Sequence, residues 1–285
     1  MGKLTEINED NIEEFKDFIS EDIAENIGRE YYYGLASMDG DEPGAAIVWN
    51  IINADSSEDV ESEIVYFSAS QSEDGQELIN EYIDRASYDN VSKSFFELEN
   101  VEDDEKSVIT EAGFDAEQAE GRNLFSSLDE ILAKGFGSKK KSPSYVVPLE
   151  TLSLLQFRQG VTNCMFCGRV GLNEDLAMLP FEWYEKDVSC CTLADGKVSG
   201  IFLVHRKPSG TLVPVLLYAS GVDARKEMLH MLRFSVNAAA EKYPANTGVI
   251  ICRHDDKTKA LAAYLFPEKK GKEVFKGERK EEGFQ

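Results

Sequence analysis

Two stretches of the chain carry the same order of predicted elements, and this repeat constrains the fold more than any other feature. Each stretch has two strands joined by a turn, a third strand, a helix, a fourth strand and a second helix, as judged from apolar periodicity. In the first half these segments are residues 31–38, 45–52, 63–70, 76–86, 94–98 and 104–112. In the second half they are residues 188–193, 198–204, 212–218, 225–242, 249–252 and 257–265. An acidic helix is also predicted ahead of the first series, at residues 11–19.

The spacing of the two series favours duplication of one domain. Matched positions lie 150 to 156 residues apart, the pairs being Gly40 and Gly196, Ser70 and Ser220, Leu98 and Cys252, and Gly113 and Phe266. Few residue types are shared, so the repeat is one of element order. Independent convergence on a common α+β pattern is the alternative, but order and spacing together favour a duplicated unit.

A change of composition marks the boundary between the halves. Residues 133–144 are rich in Gly, Ser, Lys and Pro and have no periodicity, which is typical of a linker. We therefore predict domains at residues 1–134 and 144–285, joined by an exposed linker at 135–143. Residues 1–133 hold 36 acidic and 7 basic residues, whereas residues 142–285 hold 17 and 19.

This charge distribution excludes some partners. The acidic first half would repel phosphates, so we expect no nucleic-acid binding. Its acids either form a solvated face that aids solubility or attract a cationic substrate or partner. No apolar run is long enough to span a membrane and no secretory leader begins the sequence, so we expect a cytoplasmic protein without membrane association.

The cysteines and histidines suggest no metal site. Five cysteines do not require a disulfide framework in a chain of this size. Cys164 and Cys167 form a CxxC pair without a second well-spaced pair, so buried, inert thiols are expected and no metal. His205, His230 and His254 form no motif, and each is predicted to be a surface or packing residue.

Two segments of the first half, and one of the second, resemble a known family. Residues 63–70 (EIVYFSAS) look like the fourth strand of the GNAT N-acetyltransferase superfamily, and residues 105–114 (EKSVITEAGF) are similar to its closing helix and Gly-Phe turn. Residues 212–232 look like the same strand and its following helix. The resemblance implies an α+β protein with two GNAT-like domains, each a mixed, mainly antiparallel sheet with helices on both faces.

The resemblance also implies a chemistry. In this family the fourth and fifth strands splay apart, the pantetheine of acetyl-CoA lies in the gap, and the pyrophosphate lies at the N-terminus of the following helix. An amine attacks the thioester directly, which requires a group that accepts the proton of the amine. Glu63 occupies the strand position at which some members carry a general base. The alternative is that Glu63 is one of many acids in this half and points to water.

Both halves have candidate acetyl-CoA residues. In the first half they are Ser68, Ala69 and Gly75, and in the second they are Tyr218, Ala219, Ser220, Gly221, Arg225 and Lys226. Glu73 and Asp74 would repel a pyrophosphate, whereas Arg225 and Lys226 would attract one. The second half is therefore the predicted nucleotide site.

The predicted catalytic groups are incomplete. The second strand series has no acid in the place of Glu63, and the tyrosine that usually protonates the leaving thiolate is replaced by Ile109 in the first half and by Ala262 in the second. Two functions remain open. The chain resembles an N-acetyltransferase that transfers an acetyl group from acetyl-CoA to the amine of an unknown acceptor, and the acidic first half is compatible with a cationic one. Alternatively, it is a degenerate pair of such domains that binds a ligand or a protein without chemistry.

Overall fold

The structure is a computed structural model that describes residues 3–40, 42–52, 54, 59–137, 142–166, 174–220, 222–253 and 256–280. Gly221, Cys167, His254 and positions 138–141 of the predicted linker lie outside the described residues, as does the side chain of Cys164.

The strands belong to two separate sheets. In chain order they are β1 (Lys3–Ile7), β2 (Tyr32–Asp39), β3 (Glu42–Ile52), β4 (Glu61–Ala69), β5 (Lys93–Leu98), β6 (Asp115–Glu120), β7 (Asn123–Ser127), β8 (Val146–Pro148), β9 (Cys190–Ala194), β10 (Lys197–Arg206), β11 (Leu212–Ala219), β12 (Gly248–Cys252) and β13 (Glu273–Lys280).

The α-helices are α1 (Glu21–Ala24), α2 (Ser72–Tyr88), α3 (Asp103–Glu111), α4 (Leu128–Ala133), α5 (Leu154–Phe166), α6 (Ala224–Lys242) and α7 (Asp256–Leu265). Short 3-10 helices span Ile12–Phe15, Leu149–Thr151, Glu174–Ala177 and Phe181–Trp183. No helix in the described ranges is long and apolar enough to cross a membrane.

The chain folds as two units whose limits differ from the predicted domains. Unit 1 comprises Met1–Gly121 and Lys272–Gln285, and unit 2 comprises Arg122–Gly271. The difference arises because each half of the sequence gives its last strand to the other unit. β7 pairs with β12 in unit 2, and β13 inserts between β5 and β6 in unit 1. The change of composition near residue 134 therefore does not coincide with the structural boundary.

Unit 1 is built on a seven-stranded sheet in the order β1-β2-β3-β4-β5-β13-β6. All neighbours are antiparallel except β4 and β5. α2 and α3 cover one face, where Trp49, Tyr82 and Phe96 are almost fully buried. The segment from the first 3-10 helix to α1 covers the other face, where Phe15 and Ile19 are buried.

Unit 2 is built on a six-stranded sheet in the order β7-β12-β11-β10-β9-β8. α6 packs on one face against β8, β9 and β10, in a cluster that includes Phe202 and Met231. α5 packs on the opposite face, where Phe157 and Leu203 are buried. Both units therefore confirm the predicted α+β class, with mainly antiparallel sheets and helices on both faces.

Local sequence explains the elements that were predicted correctly. The hairpin of β9 and β10 turns at Asp195 and Gly196, which have φ of +52° and +75°. Both values belong to the left-handed region that a two-residue type I′ turn requires, and Asp-Gly is a favoured pair there. In α2, Leu78, Ile79, Tyr82 and Ala86 are buried at helical spacing, as predicted.

The acidic segment at residues 11–19 is not the predicted helix. It forms a 3-10 helix at Ile12–Phe15 followed by turns. Phe15 and Ile19 are nonetheless buried, each 1% exposed. Burial of these two side chains therefore holds the segment against the sheet although it does not form a longer helix. Its acidic surface residues do little to favour a longer helix.

Candidate functional site

The sheet of unit 1 opens between its two parallel strands. β4 and β5 pair only from Glu61 with Lys93 to Ile64 with Phe96, although β4 continues to Ala69. Beyond Ile64 the strands leave a gap that has the backbone of β4 along one side. An unpaired strand edge presents N–H and C=O groups at regular intervals, so an extended ligand with amide groups can bind to it.

The sheet of unit 2 opens in the same way. β11 and β12 pair in parallel at one position, Leu212 with Val249, and β11 continues to Ala219. The gap is longer than in unit 1 because the strands separate after this first pair. Each unit therefore has a splayed pair of parallel strands followed by a long helix, α2 or α6.

A β-bulge lies at the matching place in the two splayed strands. In β4, Ile64 and Tyr66 pair with adjacent residues of β3, so Val65 is the extra residue of the bulge. In β11, the residues on either side of Val215 pair with adjacent residues of β10. Bulges interrupt the ladder and redirect side chains next to binding sites. Aligning the two bulges also shows which residue of β11 corresponds to each residue of β4.

Glu63 lies two residues before the first bulge, on the face opposite α2. Its neighbour Ser62 faces α2, because the hydroxyl of Tyr82 donates to Ser62 Oγ at 3.0 Å. Glu63 is only 9% exposed, and it pairs with Asn50, whose Nδ2 donates to the hydroxyl of Tyr32 at 3.2 Å. The alternative that Glu63 points to water is therefore wrong.

The matching position in unit 2 holds Val213, which pairs with His205. His205 is buried, and its ring stacks on Trp183 with centroids 3.6 Å apart and an interplanar angle of 5°. Its Nδ1 lies 2.8 Å from the carbonyl oxygen of Trp183. As the carbonyl can only accept, Nδ1 carries the proton in this contact. His205 is thus buried and packed, as the sequence predicted, and its ring has a fixed orientation.

Glu105, from the third position of α3, reaches into the gap of unit 1. Its Oε1 accepts a hydrogen bond from the backbone N–H of Ala69 at 2.9 Å. Its Oε2 accepts the backbone N–H of Glu102 at 2.8 Å and so caps the start of α3. The side chain is 6% exposed. One buried carboxylate therefore joins the end of β4 to the first turn of α3.

The corresponding N–H in unit 2 is that of Ala219. Ser220 N–H donates to Ser199 O at 2.9 Å, towards β10. Because N–H groups alternate in direction along a strand, the N–H of Ala219 points the other way, into the gap beside β12. Within the described part of the chain, no side chain accepts a hydrogen bond from it.

The start of α2 has an acidic surface. Asp74 turns towards β2, where Ser37 Oγ donates to Asp74 Oδ1 at 3.2 Å, while Glu73 is exposed. Gly75 is buried against β4, and a Cβ at this position would lie 2.9 Å from the Cβ of Ala69. Gly75 therefore allows α2 to pack closely on β4, which is a structural reason for a glycine here.

The start of α6 is basic by comparison. A groove of about 400 Å³ runs along it, lined by Val222, Asp223, Arg225, Lys226, Leu229, His230 and Arg233. Arg225 and Lys226 are exposed. Burial, together with the nearby positive charges of Lys226 and Arg233, lowers the pKa of His230. The groove therefore combines exposed cationic side chains with the N-terminus of a 19-residue helix.

Glu227 fixes this first turn of α6 to the sheet. Its Oε2 accepts hydrogen bonds from Thr192 Oγ1 at 2.9 Å and from Ser199 Oγ at 3.2 Å. These contacts lie on β9 and β10, next to the strand that carries Ala219. The basic turn and the gap are therefore held in one arrangement.

Two cysteines of unit 2 match the prediction of buried, inert thiols, whereas Cys252 is only partly buried. Cys190 and Cys191 are fully buried and free. Burial raises the pKa of Cys191 to about 12 and also raises that of Cys190. Neither thiol is ionised to a useful extent near neutral pH, so neither is a candidate nucleophile.

No protein-family model and no curated protein matches the sequence. The fold, however, matches a tandem GNAT protein from the clavulanic acid biosynthesis pathway, solved without acetyl-CoA, over 100% of both chains with a TM-score of 0.63 and 10% identity. It also matches a GCN5-related N-acetyltransferase from Kribbella flavida, over 98% of this chain and 72% of that one (TM-score 0.51, 14% identity). The chain has a tandem GNAT fold.

The tandem GNAT fold brings most of the predicted site residues into two separate groups. Ser68, Ala69 and Gly75 come together where β4 meets α2. In unit 2, Tyr218 and Ala219 end β11 and Ser220 follows it, and Arg225 and Lys226 occupy the first turn of α6.

The sequence does not indicate two buried polar residues beside the gaps as site residues. Glu105 is only part of the segment that resembles the closing helix, and His205 is predicted only to pack. The pair Glu102 and Glu105 has the spacing of a capping box, which predicts a bond to the backbone of α3. The bond to Ala69 depends on a contact 36 residues away in sequence, which no local pattern indicates.

Proposed function

We propose that this tandem GNAT protein is an acyl-CoA-dependent N-acyltransferase and that unit 2 holds the acyl-CoA. The observation that carries the proposal is the coincidence of an open gap, an N–H directed into it at Ala219, and a basic helix start at Arg225 and Lys226. Pantetheine is an extended chain with two amide groups, so it is suited to pair with a strand edge. The diphosphate is suited to the N-terminus of α6, where backbone N–H groups and cationic side chains meet.

The reaction would be direct transfer from acetyl-CoA. The amine nitrogen attacks the thioester carbonyl carbon, so that a C–N bond forms and the C–S bond breaks. The amine loses a proton, and the departing thiolate gains one to become the free thiol. The acceptor is an unknown amine, and the excess of acidic residues in the first half of the chain favours a cationic one.

His205 is our proposed proton acceptor in unit 2. Val213 stands where unit 1 has Glu63 and has no ionisable group, whereas His205 is its cross-strand partner on the same face. With Nδ1 donating to Trp183 O, Nε2 is the nitrogen that would accept a proton. Orientation of an imidazole by a bond to its other nitrogen is how histidine bases are commonly held.

A binding module without chemistry is the second candidate. Specific residues favour it: Val213 replaces an acid, and Ala262, which is fully buried, stands where the family usually has a tyrosine. The two candidates share the acyl-CoA site and differ only in turnover. His205→Gln separates them, because an enzyme would lose thiol release from acetyl-CoA while keeping its affinity, and a binding module would have no turnover to lose.

The shared site is tested by titration of the full chain with acetyl-CoA. Exposed charges contribute roughly 0.5–1 kcal/mol each, and reversal replaces attraction by repulsion. Arg225→Glu with Lys226→Glu should therefore weaken binding by about 30- to 1000-fold. The matched control is Glu73→Ser with Asp74→Ser at the start of α2, which should change the affinity less than about threefold. No binding at millimolar acetyl-CoA would reject the proposal.

A further inference from the structure

We propose that Glu105 prevents acyl-CoA from binding in the gap of unit 1, so that the two units differ in their ability to hold the donor. This inference rests on the proposed function, since it assumes that a pantetheine arm would bind along the gap edge. It goes further by identifying a residue that decides which of two similar gaps is used. Glu105 thus acts as a specificity-determining residue for the reaction, although it lies in the unit that would not hold the donor.

The direction of the Ala69 N–H is the first step. Ser70 N–H donates to Gly44 O at 2.8 Å, towards β3. Alternation along the strand directs the N–H of Ala69 to the opposite side, into the gap beside β5. A carbonyl of a pantetheine amide would have to accept this N–H in order to extend the sheet. The acceptor position is already taken by Glu105 Oε1 at 2.9 Å.

Displacing Glu105 is unfavourable for two reasons. A carboxylate accepts a stronger hydrogen bond from an N–H than an amide carbonyl does, so the ligand would exchange a stronger bond for a weaker one. The side chain is 94% buried, so removing its partner leaves a charge with fewer hydrogen bonds in a position shielded from water. Its second oxygen remains bound to Glu102 N–H, which limits how far the side chain can turn.

Among the described residues of unit 2, no side chain takes the place that Glu105 has in unit 1. Glu105 is the third residue of α3, and the third residue of α7 is Thr258, which lies 153 positions later, within the spacing of the repeat. A threonine hydroxyl ends two bonds closer to the backbone than a glutamate carboxylate. The two gaps therefore differ at the position from which Glu105 reaches the strand edge of unit 1.

The experiment uses the full chain and acetyl-CoA. Calorimetry should show one acetyl-CoA per wild-type chain. Amide exchange followed by NMR should slow at least tenfold at Ala219 on binding and should not change at Ala69. Two molecules per chain, or protection of Ala69 by acetyl-CoA, would overturn the inference.

The variants test the contact itself. Glu105→Thr, which copies Thr258, should speed exchange of the Ala69 amide at least tenfold without ligand. Glu105→Gln is the matched control, since its amide oxygen can still accept from Ala69 and exchange should stay within about threefold. Equal exchange in the threonine variant and the wild type would contradict the role of Glu105.

A triple variant separates this inference from the proposed function. Glu105→Thr combined with Glu73→Ser and Asp74→Ser removes the carboxylate and the charges that repel phosphate. It should gain an acetyl-CoA site that protects Ala69. If the wild type binds no acetyl-CoA but the triple variant does, the proposed function fails and the role of Glu105 stands. If the triple variant gains no site, Glu105 is not what closes unit 1.

Discussion

Val65 and Val215 occupy matching β-bulges. Each is the extra residue of its strand, and the residues just before and after it pair with adjacent residues of the neighbouring strand. They lie 150 positions apart, the same separation as Ser70 and Ser220. Each bulge precedes the end of its strand by the same number of residues and lies beside a gap between parallel strands. A shared irregularity of this kind is harder to reach by convergence than a shared element order, so it supports duplication of one domain.

The proposed role of Glu105 makes a prediction about Glu63. If Glu105 closes unit 1, the base-like position of Glu63 has no thioester to serve, so Glu63→Gln should leave turnover within about twofold. Turnover is measured as thiol release from acetyl-CoA with a panel of polyamines, lysine peptides and amino sugars. The substitution keeps the side-chain volume, and circular dichroism checks that the fold is retained.

A loss of turnover in Glu63→Gln would contradict this prediction. Loss of a general base lowers turnover by roughly two to four orders of magnitude. Such a loss in Glu63→Gln, with His205→Gln unchanged, would make unit 1 the catalytic half and would invert the proposed assignment of the two units.

A second prediction concerns the packing beneath the start of α6. A Cβ at Gly200 would lie 2.6 Å from Thr192 Oγ1 and 3.0 Å from the Cβ of Ala219. Thr192 is already held by Glu227, so it cannot move without losing a hydrogen bond. Gly200→Ala should therefore lower the free energy of unfolding by about 1–3 kcal/mol, the usual cost of overpacking.

The control for Gly200 is another strand glycine. At Gly248 an added Cβ would be 3.4 Å from the side chain of Thr211, a distance close to ordinary contact. Urea denaturation of Gly248→Ala should show a change below about 0.5 kcal/mol. If both alanine variants are equally stable, the close approach of α6, β9 and β11 at Gly200 is not a constraint on the fold.

The sequence predicts the repeated core of this fold well, because that core is specified locally. Asp195 and Gly196 have the chemistry of a tight turn, and the apolar residues of β11 form a continuous run. β13 and β6 were missed for a physical reason. Their sequences EVFKGERK and DAEQAE are too polar to indicate strands. β13 is a strand because β5 offers it an edge to pair with, and β6 is a strand because it pairs with β13.

The candidate site was predictable to the extent that it depends on single segments. The basic start of α6 follows from Arg225 and Lys226 alone. The closure of unit 1 cannot be predicted from any single segment, because it requires that α3 be placed so that Glu105 reaches Ala69. In the sequence alone, Glu105 is one acid among 36 in its half, and its burial together with its hydrogen bond to Ala69 is what distinguishes it.

The exchange of terminal strands leads to the last prediction, at Phe275. This residue of β13 is 7% exposed and belongs to the core of unit 1, where its ring centroid lies 5.3 Å from that of Phe96. Phe275→Ala should destabilise unit 1 by about 3–5 kcal/mol, the usual cost of truncating a buried phenylalanine. The expected signature is faster amide exchange in β5 and β6, with β10 and β11 unchanged, although residue 275 lies in the half of the sequence that forms most of unit 2.

Phe266→Ala is the matched control for Phe275, only nine positions earlier. Phe266 is 2% exposed and lies within unit 2, so its truncation should speed exchange in the sheet of unit 2 and leave β5 and β6 protected. If both variants loosen the same unit, β13 is not exchanged between the halves as the structure has it. The result also decides how the halves can be studied, because a fragment ending near residue 134 lacks the strand that joins β5 to β6 and would not report the properties of an intact unit 1.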